Sequence, residues 1–326
     1  MTNLGLESFE QFMGRALHDP VEGYYRTGIQ TVGRGGDFST SATIFPELGR
    51  ALARWLQVQR QELAWASPVH LIEVGGGTGD LMKRVLQNLG WWGRRSFQFH
   101  SVESSPVLRA QQELNLKGFK VLWHDDMSQA MTSCEGRALI YSNELVDAFP
   151  CQVVSYQQGI WKELFLKTST TGMEEAWWEV SETKALELRQ LCPQPVEGQR
   201  LEIPTAYRDW LRSWVEQWQG GSMLTIDYGG RSEELFRQHR YGTLRAYFKQ
   251  MRLVGDEVYR RVGRQDLTFD VNFSLVMQWG AEQGLRQMHY ETQKEFIKRM
   301  GLKCDDVSAS SQAQEMFQVL EQVRGF

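Results

Sequence analysis

Long apolar runs are missing from this 326-residue chain. No stretch approaches the roughly 18 uninterrupted apolar residues of a spanning helix, so no membrane span is expected. Cysteine is sparse. Cys134, Cys151, Cys192 and Cys304 are scattered, with no CxxC pair and no neighbouring histidine at ligand spacing, which predicts reduced thiols, no disulfide framework and no metal site. The first residues, Met1 to Leu17, lack a basic segment leading into an apolar run and lack the Arg-rich, acid-poor character of a transit peptide, so a cytoplasmic location is expected. An excess of either charge is also lacking: 36 Lys and Arg against 40 Asp and Glu leave −4, which argues against a broad basic surface for nucleic acid. There is no G-x-S-x-G elbow, Walker loop, internal repeat or low-complexity tract. His18, His70, His124, His239 and His289 form no recognisable ligand set along the chain. The remaining composition, 41% hydrophobic and 23% charged, suits one enlarged α/β domain with an insertion, or two domains.

Leu6, Phe9, Met13, Ala16 and Leu17 fall at helical spacing, and His18-Asp19-Pro20 ends that helix. A glycine-punctuated stretch over 23–40 reads as a loop, and 47–63 reads as a helix. Strand and helix patterns then alternate: strands at 70–74, 97–102, 120–123 and 138–142, helices at 80–89 and 106–116. That order predicts a doubly wound, mostly parallel sheet with a ligand crevice at the carboxyl ends of its strands. After Pro150 the regularity breaks. A hairpin is expected at 152–156 and 161–167, then a polar, irregular stretch over 177–200, then a helix carrying Trp210, Trp214 and Trp218 as a packing stripe. The α/β pattern resumes at 222–229. The expected organisation is an N-terminal helical extension with a covering loop at 1–65, a core at 66–150 and 221–326, and an inserted α+β subdomain at 151–220 near the acceptor site.

Residues 71–81, Leu-Ile-Glu-Val-Gly-Gly-Gly-Thr-Gly-Asp-Leu, place a glycine-rich turn between a strand and a helix. A dinucleotide fingerprint needs G-x-G-x-x-G, but counting from Gly75 its third glycine is replaced by Asp80, an acid that would repel a pyrophosphate at a helix start. The pattern E-x-G-x-G-x-G, from Glu73 through Gly75 and Gly77 to Gly79, suits S-adenosyl-L-methionine (SAM) instead. SAM has no phosphate and is cationic at sulfur and at its ammonium, so Glu73 can orient the loop or meet the ammonium. Glu103 ends the next strand, where an acid can accept both ribose hydroxyls. Asp125 or Asp126 is offered to an adenine amino group, and either can instead cap the following helix. Beyond the fourth strand, Asn143, Glu144 and Asp147 lie within one turn. Paired acids there can grip a guanidinium and help remove its proton; the alternative is helix-start chemistry, with Asn143 as cap.

These motifs together resemble the MidA-type family of SAM-dependent methyltransferases, which includes a mitochondrial complex I assembly factor. The resemblance runs through Phe12-Met13, Gly23-Tyr24-Tyr25, Gly36-Asp37-Phe38-Ser39-Thr40, Glu73 to Gly79 and Val102 to Pro106. Asn143-Glu144 with Asp147-Ala148-Phe149-Pro150 is its most distinctive block, followed by Ile226-Asp227-Tyr228-Gly229, Gly242 to Arg245, Asp266 to Thr268, Asp270 to Phe273 and Thr292-Gln293. It implies a class I SAM-dependent methyltransferase fold, a Gly36–Thr40 loop folded over the cofactor with Asp37 and Thr40, and an acceptor facing residues 143–150. The mitochondrial relative is associated with symmetric dimethylation of a protein arginine, which implies a protein substrate here. The glycine turn lacks the proline and arginine common in relatives, and Gln250 and Met251 stand where a histidine is common. The expected activity is transfer of the SAM methyl group to a protein nitrogen, an arginine above others. A catalytically silent SAM-binding scaffold and a dinucleotide-dependent oxidoreductase are the rivals, and the oligomeric state, homodimer included, is open.

Overall fold

The computed structural model describes residues 5–28, 46–63, 65–170, 172–303 and 315–325. Asp37, Thr40 and the loop around them lie outside the described residues.

The described chain opens with β1 (Leu6–Ser8) and α1 (Phe9–His18). Ser8 and Gln11 form a reciprocal capping box, satisfying two N–H groups that the first helical turn leaves without partners. Tyr24–Gly28 makes one wide helical turn inside the stretch read as loop. After α2 (Pro46–Leu63) come β2 (Val69–Val74), α3 (Asp80–Arg94), β3 (Phe97–Val102), α4 (Pro106–Asn115), β4 (Val121–His124), α5 (Met127–Ser133) and β5 (Leu139–Asn143). Helix α3 breaks at Gly90, whose φ of +65° is left-handed, one residue after the helix end read from sequence. The inserted segment holds β6 (Gln152–Gln157), β7 (Ile160–Ser169), β8 (Gly172–Glu179), α6 (Glu182–Leu191), β9 (Arg200–Ile203) and α7 (Thr205–Trp214). The chain returns through β10 (Gly221–Gly230), α8 (Ser232–Gln238), β11 (Arg245–Phe248), β12 (Met251–Leu253), β13 (Asp266–Thr268) and β14 (Val271–Asn272). It finishes with α9 (Phe273–Glu282), β15 (Arg286–Thr292), α10 (Gln293–Arg299) and β16 (Phe317–Arg324).

The main sheet runs β15-β16-β10-β5-β2-β3-β4, with β14 beside β10. Strands β10, β5, β2, β3 and β4 are parallel, and β16 is antiparallel to both neighbours. This is the class I doubly wound sheet expected from the sequence. Its central strands read as nearly unbroken apolar runs because both faces are covered. Leu52 and Trp55 of α2, Val85 of α3 and Phe296 of α10 pack on one face; Met127 of α5 and Leu211 and Trp214 of α7 pack on the other. Each such side chain contributes about 1.5–3 kcal/mol on burial. From β2 the chain runs outward through β3 to β4 and then crosses back to β5 on the other side of β2, so the crevice at the ends of β2 and β5 is the topological switch point.

The insertion is richer than the hairpin read from sequence. Strands β7, β6, β9 and β8 form an antiparallel sheet that β1 joins, pairing Leu6 with Lys167, so the N-terminal extension supplies a strand as well as a helix. The stretch read as irregular is mostly β8 and α6. It is an edge strand half-exposed on both faces followed by a helix with one buried side chain, Leu188, so neither periodicity is strong. A second small sheet, β12-β11-β13, lies within the 221–326 segment read simply as core. Among the described residues, no helix is long and apolar enough to cross a membrane.

Candidate active site

A cavity of about 1050 Å³ opens at the carboxyl ends of β2, β3 and β5. The turn after β2 requires glycine for two reasons. Gly75, Gly77 and Gly79 have φ of +64°, +55° and +82°, the left-handed region that L side chains resist. A Cβ at Gly76 would lie 2.4 Å from Glu73 Oε2, so the acid at the end of β2 packs directly beneath the turn. A Cβ at Gly77 would meet nothing within 4 Å, leaving that backbone open to a ligand. Glu73 is buried, and burial pushes its carboxyl up to about 8 against the opposing pull of the nearby Tyr141 hydroxyl, while Oε2 makes no hydrogen bond of ordinary geometry among the described residues.

Glu103 follows β3 and is also buried. Its Oε1 accepts from Ser105 N (2.8 Å) and its Oε2 from Gln112 Nε2 (3.3 Å), while burial raises the carboxyl to about 7. Gln112, absent from the sequence reading, is the hub of this corner. Its Nε2 also donates to Gly77 O (3.0 Å), and its Oε1 accepts from Ser101 Oγ (2.7 Å) and Trp123 Nε1 (3.3 Å). The only sequence signal for it is its position four residues after Leu108, on the buried face of α4.

The adjacent acids after β4 separate. Asp126 is the N-cap of α5, with Oδ1 accepting from Gln129 N (2.9 Å) and Oδ2 from Gln129 Nε2 (3.1 Å), so both oxygens are committed to the helix start. Asp125 Oδ1 accepts from Arg109 Nη1 at 3.0 Å, and both acids border the cavity. Asp80, the acid that excluded a dinucleotide fingerprint, accepts from Thr78 Oγ1 (2.9 Å) and Asn115 Nδ2 (2.7 Å), fixing the start of α3.

Past β5, Glu144 has a φ of +53°, a backbone state costly for a non-glycine residue. The turn is held by Asp227, whose Oδ2 accepts from the N–H groups of Leu145 (3.2 Å), Val146 (3.0 Å) and Asp147 (3.3 Å). Asp227 thus takes the capping role that sequence offered to Asn143, whose Nδ2 donates to Glu144 Oε1 at 2.9 Å instead. Glu144 and Asp147 do not form a matched exposed pair. Asp147 is buried, and its Oδ2 accepts from Tyr228 Oη and from Thr268 Oγ1 (2.7 Å), while its Oδ1 has no partner among the described residues. Burial raises the Asp147 carboxyl, against the pull of those hydroxyls, and burial beside Asp147 raises Asp227 well above the ordinary range. Tyr228, Arg245 and Asp266 close this end. Arg245 lies over the Tyr228 ring (4.7 Å) and pairs with Asp270 Oδ1 (2.8 Å), and Tyr25 Oη donates to Asp266 Oδ1 (2.9 Å). Trp214 and Trp218 pack in the core as expected, but Trp210 borders the cavity beside Phe149.

Eleven Asp and Glu residues border the cavity against a single arginine and no lysine among the described residues, and although burial raises Glu73, Glu103 and Asp147, the remaining acids leave the site favouring cations. SAM fits on two observations: the buried Glu73 oxygen suits an ammonium, and the open backbone at Gly77 admits close approach of a ligand.

A family profile described as "Putative S-adenosyl-L-methionine-dependent methyltransferase" matches residues 51–291. The protein arginine methyltransferase NDUFAF7 homolog, mitochondrial, of Drosophila melanogaster is 28% identical over 295 residues, 82% of this chain and 64% of that protein, so the chain spans under two thirds of that relative's length. The NDUFAF7 of Danio rerio is 26% identical over 90% of this chain and 73% of its own length. A Burkholderia thailandensis protein crystallised bound to S-adenosyl-homocysteine superposes with a TM-score of 0.84 at 25% identity, covering 98% of this chain and 88% of that one.

Proposed function

The chain belongs to this family of SAM-dependent methyltransferases, and from that premise we propose that it methylates an arginine side chain of a protein partner. The acid-rich cavity carries the proposal. A guanidinium stays protonated in water, and a site bordered by eleven carboxylate residues receives it beside a cationic cofactor. The Drosophila and Danio relatives are arginine methyltransferases by name.

The glycine turn and Glu73 hold the methionine part of the cofactor, Glu103 accepts from the ribose hydroxyls, and Asp125 rather than Asp126 meets the adenine. Asn143 and Glu144 face the acceptor. When bound, SAM supplies a methyl group on a cationic sulfur. Glu144 would take the proton that the acceptor nitrogen gives up as the methyl carbon passes to it from sulfur. Asp147 offers Oδ1 to a second guanidinium N–H while Tyr228 and Thr268 fix its other oxygen. Holding the reactants in line supplies roughly 7–11 kcal/mol of the barrier reduction. The insertion at 151–220 and the β12-β11-β13 sheet form the acceptor wall.

The cytoplasmic placement read from sequence remains part of this proposal, although the animal relatives are mitochondrial by name; cell fractionation tests it. Transfer of labelled methyl from SAM into lysate of a strain lacking this gene tests the activity. Label on arginine of a discrete protein supports the proposal. Labelled protein with the methyl elsewhere, or SAM binding with no transfer, contradicts it, and the second result favours the scaffold.

A further inference from the structure

His70 of β2, His100 of β3 and Cys134 at the end of α5 are separated in sequence by 30 and 34 residues, yet their ligating atoms lie within 4.8 Å of one another. His70 Nδ1 is 2.9 Å from His100 Nε2, and Cys134 Sγ is 3.7 Å from the same Nε2. None of the three borders the active-site cavity. From these contacts we infer that His70 Nδ1, His100 Nε2 and Cys134 Sγ form a zinc site, separate from the methyl-transfer site, with solvent in the fourth position.

Zinc–nitrogen bonds of about 2.0 Å and zinc–sulfur bonds of about 2.3 Å in a tetrahedron separate the ligand atoms by roughly 3.3–3.6 Å. The two spacings to His100 Nε2 fall on either side of those values and all three ligand atoms lie within 4.8 Å of one another, so side-chain shifts of up to about an ångström complete the geometry. One cation takes a lone pair from each of the three atoms. The other nitrogen of His100 supports the same reading. His100 Nδ1 lies 2.9 Å from His124 Nε2, so an Nδ1–H donating to His124 leaves Nε2 as a bare lone pair toward the cluster. His100 and Cys134 are buried, and half-buried His70 forms the solvent side through which the ion enters. The donor set of two imidazoles and one thiolate is one zinc accepts readily.

The full-length protein, stripped of metal by chelation, is titrated with zinc chloride by calorimetry, and separately with cobalt(II), whose bond to a thiolate gives a near-ultraviolet charge-transfer band. The expected result is one zinc per chain, a cobalt–thiolate band in the wild type, and loss of that band in Cys134→Ala. Zinc affinity should fall by more than about 100-fold in Cys134→Ala and at least about 10-fold in His70→Gln. Binding of S-adenosyl-homocysteine, unchanged in both variants, verifies the fold independently of the zinc site. Absence of the band in folded wild-type protein, or equal zinc affinity in wild type and folded Cys134→Ala, overturns the inference.

Discussion

Asp227 Oδ2 lies 3.0 Å from the backbone nitrogen of Val146, at the centre of three N–H donors, and this one carboxylate shapes the turn that carries Glu144. Burial beside Asp147 favours the neutral Asp227 carboxyl, so each of these hydrogen bonds contributes roughly 0.5–1.5 kcal/mol. Asp227→Asn should therefore lower the melting temperature and cut methyl transfer more than it weakens cofactor binding, because the glycine turn lies on a different strand. Calorimetry with S-adenosyl-homocysteine beside a turnover assay separates the two. Equal losses in both would mean that Asp227 supports the sheet rather than the acceptor turn.

Gln112 joins Glu103 to the carbonyl of Gly77, and its loss leaves several buried polar groups without partners. Each such group costs about 1–3 kcal/mol. Gln112→Leu should weaken SAM binding by roughly 10-fold or more and lower stability. Affinity equal to the wild type would remove Gln112 from the binding apparatus.

Burial raises Glu73 to about 8 and Glu103 to about 7, both from an ordinary 4.5. The folded, ligand-free protein holds these protons more tightly than the unfolded chain does. Their contribution to stability is thus full below pH 4.5 and is lost as pH rises through about 7 to 8. Cofactor affinity should run the opposite way and rise across that window, because the ionised carboxylates meet the ammonium and the ribose hydroxyls. Titrations between about pH 6 and pH 9 test this, and Glu103→Gln should both weaken binding and flatten the lower part of the profile. A wild-type affinity independent of pH would contradict the assignment of both acids.

Gly75 and Gly77 separate two demands on one turn. A left-handed non-glycine residue costs about 1–2 kcal/mol, and Gly75→Ala adds a contact 2.7 Å from Leu145 Cδ1. Gly75→Ala should lower stability more than Gly77→Ala, whose Cβ projects into open space. Thermal unfolding of the ligand-free variants gives the order, and the reverse order would contradict the geometry of the turn.

The parallel core was legible because its signals are local. Unbroken apolar strands, the glycine turn and the acid at the end of β3 each lie within a few consecutive residues. Signals that depend on distant pairing were not. Asp227 caps a turn some 80 residues earlier, Gln112 acts across three strands, and the His70–His100–Cys134 cluster forms only when β2, β3 and α5 are brought together. Asp125 and Asp126 looked equivalent in sequence because only the start of α5 decides which one caps. Edge strand β8 was lost because its partial burial on both faces weakens the alternation.

The most direct test of arginine methylation at this site is turnover by Glu144→Gln on the labelled acceptor protein, measured beside its affinity for S-adenosyl-homocysteine. Asp227 already serves the start of the turn, so removing the Glu144 charge should leave fold and cofactor affinity nearly intact. Methyl transfer should fall by roughly 10²–10⁴-fold, the range for loss of a positioned base. Wild-type turnover by well-folded Glu144→Gln protein would contradict the role of Glu144 in the transfer.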